Sequence, residues 1–228
     1  MFDPGEFDPT LYWVHVVLGS GSAVFALGAL FARKGGLVHK WSGRFFAVSM
    51  GVAAITALYF FGAGPPAPPI LISATAALYA IGMAILSLRP REGLWRFVQW
   101  ALIPIPVLIA LLYFAFIGFA VLNPDIPLYL GILGPMAAVL FGVIAWSDIR
   151  FMRTREPSKH QRARRHGFRM AVVSAEVVRA PLVSLGPPFL GERTFDFYSF
   201  GPFLLIPLIY FLARPEWLKG QQRLPDTR

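Results

Sequence analysis

Long runs of apolar residues without a single charged side chain dominate this chain. Four such runs are present, at 9–32, 45–88, 97–124 and 126–147. A helix of about 20 mainly apolar residues is long enough to cross the hydrocarbon core of a bilayer. The second run has twice that length, and the Gly- and Pro-rich segment 62–69 divides it, since no helix continues through such a segment. The sequence therefore predicts an integral membrane protein.

The composition excludes several other classes of protein. Hydrophobic residues make up 56% of the 228 residues and charged residues only 14%, whereas soluble domains carry about 25% charged residues. Because the chain has no cysteine, disulfides, thiolate zinc sites and iron–sulfur clusters are excluded. The net charge of +9 would suggest a nucleic-acid partner in a soluble protein. Here the basic residues lie in short segments between apolar runs, so we expect no nucleic-acid partner.

Two further segments complete a prediction of seven membrane spans. Segment 168–185 contains Glu176 and Arg179, and segment 197–213 is apolar. The chain is then a single all-α transmembrane domain, 1–228, folded as a polytopic helix bundle, with spans at about 11–32, 43–62, 69–88, 97–119, 127–146, 168–185 and 197–213.

The distribution of Lys and Arg predicts how the bundle is oriented. They concentrate between spans 1 and 2, 3 and 4, and 5 and 6, and after span 7, with eight of them in 148–169. By the positive-inside rule the N-terminus lies outside and the C-terminus in the cytoplasm. We therefore expect a multi-pass protein of the inner (cytoplasmic) membrane, with anionic lipids bound at its cytoplasmic face.

Prolines inside the predicted spans mark points where a helix is interrupted. Pro104 and Pro106 are close together in span 4, and each removes a helix hydrogen bond. Broken helices line the binding sites of some transporters, although membrane bundles also tolerate prolines without such a role. We predict a real break in the fourth span.

One polar site is predicted inside the membrane. Glu176 and Arg179 are three residues apart, on one face of a helix. Charges at this depth are costly, so these side chains must face protein or water and are expected to face each other. The pair is interpreted either as a substrate, proton or ion site or as an ion pair that fixes helix packing. His15 precedes a stripe of small residues on span 1, which predicts that it points into the bundle, where Arg179 could reach toward it. The alternative, and the more common case for a single histidine, is a side chain satisfied by one hydrogen bond at an interfacial helix end.

The other histidines, His39, His160 and His166, lie on the predicted cytoplasmic side. His39 and His166 are at the ends of different helices and are candidate axial ligands of a b-type haem. In that interpretation Arg44 and Arg169 hold the haem propionates; otherwise these two arginines contact lipid headgroups.

A zinc site is another interpretation of the same histidines. The three of them, together with Asp148 or Glu156, offer the ligand types that zinc binds. Their spacing matches no specific metal motif. Interfacial histidines, each satisfied by a hydrogen bond at a helix end, are the alternative to both the haem and the zinc interpretations.

The segments around these histidines resemble a known family. Lys34-Gly-Gly-Leu-Val-His39 follows the first span, and His166-Gly-Phe-Arg-Met170 opens the sixth. The chain resembles prokaryotic multi-pass membrane proteins described only as a domain of unknown function. Their features are an early histidine in span 1, a Lys-Gly-x-x-His-x-x-x-Gly-Arg turn and a late His-x-x-Arg-Met segment. The matching residues are His15, His39, Gly43, Arg44, His166, Arg169 and Met170. The resemblance implies a polytopic fold and no particular activity.

Four functions remain open from the sequence. The first is a non-catalytic subunit or accessory protein of a membrane assembly, because no diagnostic catalytic motif is present. The second is a redox protein that binds haem b through His39 and His166. The third is a small transporter or proton-coupled protein centred on Glu176 and Arg179. A zinc hydrolase is the fourth.

Overall fold

The structure is a computed structural model that describes residues 8–63, 68–90, 92–122, 130–190 and 201–212. All regular secondary structure in these residues is helical, as the sequence predicts. A short 3₁₀ helix, η1, precedes the last helix. In chain order the elements are α1 (Pro9–Phe31), α2 (Leu37–Ala63), α3 (Pro68–Leu86), α4 (Gly93–Leu102), α5 (Pro104–Leu122), α6 (Leu130–Arg153), α7 (Lys159–Leu190), η1 (Gly201–Leu204) and α8 (Leu205–Leu212).

Among the described residues, four helical segments are long and apolar enough to cross a membrane. They are Pro9–Phe31, Leu37–Ala63, the α4–α5 run Gly93–Phe119, and Pro135–Arg153. Two more apolar helical segments, Ile70–Leu86 and Gly201–Leu212, are shorter. Helices of this length and composition are those of an integral membrane protein. Within the predicted spans, residues 127–129, 197–200 and 213 lie outside the described residues, as do the side chains at 69, 116, 130–134 and 183–185.

The predicted break in the fourth span is confirmed. α4 ends at Leu102 and α5 begins at Pro104, with a single turn residue, Ile103, between them. The N–H of Ile103 donates to the carbonyl of Trp100, a shorter-range bond than an α-helix makes. The break follows from Pro104, which has no N–H to donate to the carbonyl of Trp100, whereas Ile103 itself keeps helical backbone angles, with φ −60° and ψ −35°.

α1 and α2 form a closely packed hairpin. A Cβ atom placed on Gly28 would lie 2.9 Å from the hydroxyl oxygen of Ser42, so glycine is what permits the helices to approach this closely. Gly35 adopts a φ of +77° in the turn between the helices, a conformation that favours glycine. Lys34 donates to the carbonyls of Ala29 and Leu30 and thereby caps the end of α1.

α3 lies at the centre of the described bundle. It packs against α2, α5 and α7, while α5 packs against α6. Small side chains on its buried face let these neighbours come close, among them Ala76, Ala77, Ala80 and Ala84. Tyr79 on the same helix is 1% exposed and belongs to the hydrophobic core. α3 therefore brings its neighbours together around one buried tyrosine.

Arginine and tryptophan pairs surround one end of the bundle. The guanidinium carbon of Arg44 lies 5.1 Å from the ring centroid of Trp41, and that of Arg150 lies 5.4 Å from Trp146. Both tryptophans are exposed. Exposed Trp beside Arg is typical of a membrane–water interface, where the ring sits at headgroup level. We call this the basic end of the bundle; it includes the start of α2 and the end of α6.

Candidate functional site: a charged face on helix α7

α7 carries a line of charged residues on a single face. Arg165, Arg169, Glu176 and Arg179 follow one another at helical spacing, with Val172 filling the remaining position of the same stripe. The four charged residues are between 0% and 7% exposed. From Arg165 to Arg179 the helix rises about 21 Å, at about 1.5 Å per residue. The charged face thus extends from the basic end deep into the bundle.

Asp148 near the end of α6 joins the first two arginines in a buried cluster. Its Oδ1 accepts a hydrogen bond from Nε of Arg165 at 2.9 Å and another from Nη2 of Arg169 at 2.5 Å. The hydroxyl of Tyr79 donates to Oδ2 of the same carboxylate. Asp148 is 0% exposed, so three donors from α3 and α7 take the place of water around it. We call these four residues the arginine–aspartate cluster.

Arg165 is also held by its other neighbours. Its Nη1 donates to Oε1 of Gln99 at 3.1 Å, and the amide of Gln99 in turn donates to the carbonyl of Leu86. The guanidinium carbon lies 4.1 Å from the ring centroid of Phe151. Burial lowers the pKa of Arg165, whereas the carboxylate of Asp148 acts in the opposite direction. The side chain is thus fixed in a dry environment beside one negative charge.

Arg169 uses only part of its hydrogen-bonding capacity within the protein. Its Nη2 donates to the carbonyl of Ile144 at 3.1 Å and to the hydroxyl of Ser147 at 2.9 Å, besides Asp148. Its Nε and Nη1 atoms are buried without a hydrogen-bond partner. Buried polar groups are rarely left unpaired, and each exception calls for an explanation such as a bound ion or water.

Glu176 and Arg179 form the second charged group, farther along α7. Nε of Arg179 donates to Oε2 of Glu176 at 2.9 Å, which is the contact expected from their spacing. The guanidinium carbon also lies 5.7 Å from the ring centroid of Phe203 in η1. Tyr113 of α5 is near enough to interact electrostatically with both charges. Helices α5, α7 and η1 therefore enclose the pair.

His15 lies in the interface between α1 and α2. Its Nδ1 is 2.9 Å from the carbonyl of Ala53 and 2.9 Å from the hydroxyl oxygen of Thr56. Its ring packs edge-on against the ring of Phe60, with 5.6 Å between the two ring centroids. The side chain points toward α2, whereas Nε of Arg179 is directed at Glu176. This placement indicates a role for His15 in holding the hairpin together.

His39 and His166 make matching contacts at the basic end. Nδ1 of His39 is 2.9 Å from the carbonyl of Ala29, and Nδ1 of His166 is 3.0 Å from the carbonyl of Ala84. If each Nδ1 donates, Nε2 is the nitrogen that remains for a ligand. Burial lowers the pKa of His166, and the nearby charges of His39 and Lys34 lower it further.

The residues considered from the sequence as zinc ligands do not come together in the structure. Within the described part of the chain, which includes every residue of that set, no three His, Asp or Glu side chains come close enough to hold a metal. The carboxylate of Asp148 is bound to two arginines and a tyrosine. Nδ1 of His160 is buried without a hydrogen-bond partner. The physical reason is that Asp148, the only buried carboxylate of this set, already forms ion pairs with the guanidinium groups of Arg165 and Arg169.

The two arginines predicted to contact lipid headgroups have different environments. Arg44 is exposed beside Trp41 at the basic end, where a headgroup can reach it. Arg169 is 0% exposed, so the prediction of a headgroup contact for this residue is wrong. α7 begins at Lys159, well before the apolar segment, and Asp148 draws Arg169 into the protein interior.

The sequence pattern did not predict the arginine–aspartate cluster. Arg165 is one of the eight basic residues in 148–169, between the fifth and sixth predicted spans, and Asp148 was a candidate zinc ligand. The signal that was available is the spacing of charges, because residues 165, 169, 172, 176 and 179 share one face when the helix is extended back to Lys159. The contribution of Tyr79 and Gln99 had no signal in the sequence, since both belong to distant helices.

Comparison with known proteins gives no relative for this chain. No protein-family model, no curated protein and no solved structure matches it.

Proposed function

We propose that this integral membrane protein is a small transporter or proton-coupled protein whose path follows the charged face of α7. The observation that supports the proposal is that four buried charged side chains share one face over about 21 Å. Ionisable residues inside a membrane are costly and typically mark pathways for ions, protons or substrates. Two such charged groups follow one another along this single helix.

Glu176 is the residue on this face that is suited to bind and release a proton. Its carboxylate is paired with Arg179 at 2.9 Å and is 2% exposed. Protonation of Glu176 would remove the negative charge that contacts Arg179 at this point, and an incoming anion would replace that charge. Such an exchange links proton uptake to movement of a charged substrate. We therefore propose the Glu176–Arg179 pair as the centre of the path.

We also propose the topology of seven spans, with the N-terminus outside and the C-terminus in the cytoplasm. The arginines beside tryptophans at the basic end support this orientation. Because the chain has no native cysteine, single cysteines can be introduced at Asp8 and Ser158. In intact spheroplasts we expect a membrane-impermeant maleimide to label Asp8→Cys, and to label Ser158→Cys only after permeabilisation. Labelling of Ser158→Cys in intact spheroplasts would overturn the orientation.

The transport proposal is tested in proteoliposomes that contain a pH-sensitive dye. With an imposed pH gradient and valinomycin to balance charge, the wild-type protein is expected to change the internal pH faster than empty liposomes do. Glu176→Gln is expected to reduce the rate to that of empty liposomes, because the proton-binding carboxylate is gone. Glu92→Gln, at an exposed position before α4, is the matched control.

Insertion and fold are checked on the same samples by membrane floatation and size-exclusion chromatography. Glu176→Asp, which keeps the carboxylate, is expected to retain part of the flux. It is the test variant if Glu176→Gln does not fold. Equal flux for wild-type protein and empty liposomes, or for Glu176→Gln and wild type, would contradict proton transport.

Haem binding through His39 and His166 is a second candidate that stays a prediction from the sequence. The matching Nδ1 contacts of His39 and His166 leave Nε2 of each ring as the available ligand atom. An accessory role in a membrane assembly remains a prediction from the sequence. Exposed apolar residues on α1 include Trp13, Val17 and Val24, and lipid alone accounts for their exposure.

A further inference from the structure

We infer that the arginine–aspartate cluster is a binding site for a small monovalent anion. The site consists of Arg165, Arg169, Asp148 and Tyr79, at the basic end of the charged face. It names a substrate class for the transport function proposed above, and it rests on that function only for the step from binding to movement. Anion binding itself is an equilibrium property that can be measured without a gradient.

The charges within the cluster do not balance. Two guanidinium groups face one carboxylate, and all three residues are at most 7% exposed. A buried charge without a partner is strongly unfavourable, because burial removes its hydration. Tyr79 donates to Asp148 and so adds no negative charge. One monovalent anion would make the cluster neutral, which is why we infer a single negative charge on the ligand.

The unpaired hydrogen-bond donors indicate where the anion binds. Arg169 is 0% exposed, and its Nε and Nη1 atoms have no partner. These atoms carry three of the five N–H donors of a guanidinium group. A water molecule could accept from them but would leave the excess positive charge in place. An anion accepts from one or more of these donors and also compensates the charge, through the short charge-assisted bonds that guanidinium groups form.

The burial of the site limits the size of the ligand. Ser147, Ile144 and Asp148 already contact Nη2 of Arg169, so the anion contacts Nε or Nη1. Side chains close around this group and leave it no contact with solvent. Chloride and formate fit this description, since each has one negative charge and few atoms. A phospholipid headgroup is excluded as the ligand by the same burial.

The test uses the purified full-length protein in detergent, exchanged into sodium gluconate. Thermal unfolding is followed while gluconate is replaced by chloride, formate or phosphate at constant ionic strength. We expect chloride or formate to raise the unfolding temperature with a saturable dose dependence, since a ligand that binds the folded state stabilises it. Phosphate and gluconate are expected to have less effect, because the first carries more charge at neutral pH and the second is bulky.

Two variants and one control make the test specific to the cluster. Arg165→Gln leaves one arginine beside one aspartate, so the cluster is neutral and the response to anions should disappear. Asp148→Asn removes the competing carboxylate, so the anion concentration at half-saturation should fall at least about tenfold. Arg164→Gln, at an exposed position where the arginine contacts Tyr210, should respond as the wild type does.

Each outcome of this experiment decides the inference. A saturable response that disappears in Arg165→Gln and persists in Arg164→Gln supports it. Equal stabilisation by gluconate and chloride, or an unchanged response in Arg165→Gln, would overturn it. If the wild-type protein binds anions in this way but gives no more proton flux than empty liposomes, only the transport proposal is contradicted.

Discussion

Replacement of Asp148 by Asn is expected to lower the free energy of unfolding by about 3–5 kcal/mol, the usual cost of removing one partner from a buried charge pair. Asp148 is the only carboxylate that contacts Arg165 and Arg169 among the described residues. Without it, two buried guanidinium groups would lie side by side with no negative charge between them. Unfolding in mixed detergent micelles, followed by tryptophan fluorescence, measures the change.

Glu156→Gln is the matched control for this substitution, because it removes an exposed carboxylate from the segment between α6 and α7. It should change the stability by less than about 0.5 kcal/mol. The double variant Asp148→Asn/Arg165→Gln should recover part of the loss, since it removes one of the two unbalanced positive charges. A stability of Asp148→Asn equal to that of the control would show that the carboxylate does not neutralise the arginines.

The second large effect is expected at the Glu176–Arg179 pair. Glu176→Met alone should destabilise the protein by about 3–5 kcal/mol, because it removes one partner of a buried ion pair. The double variant Glu176→Met/Arg179→Met should lie much closer to wild type, since apolar residues of similar size often replace a buried pair without loss. A double-mutant cycle on unfolding free energies gives the coupling between the two positions.

Flux measured on the same double variant separates a structural role from a functional one. If the pair only fixes helix packing, the double variant should be stable and should transport as the wild type does. If the pair lies on the path, the double variant should be stable and inactive. Additive effects of the two single substitutions on stability would show that the observed ion pair contributes no coupling.

The charged pair and the helix break show what local sequence predicts well. Glu176 and Arg179 contact each other because three residues bring side chains onto the same helix face. The break before Pro104 follows from the missing N–H of proline. Both depend on residues close in the chain, so neither requires knowledge of the neighbouring helices.

The arginines show where local sequence is insufficient. Arg44 and Arg169 are both basic residues near predicted span ends, yet Arg44 is exposed and Arg169 is fully buried. The difference arises because Asp148 on another helix compensates the charge of Arg169. A side chain's sequence neighbours do not reveal which distant carboxylate it will meet.

The amino-acid sequence by itself predicted a helical membrane protein, because uncharged apolar runs of about 20 residues or more are long enough to span lipid as helices. It also placed Glu176 and Arg179 on one helix face. Only the tertiary structure decided that Asp148, Arg165, Arg169 and Tyr79 form one buried cluster. The reason is physical: hydropathy and periodicity act along a single helix, whereas the pairing of buried charges depends on which helices pack together.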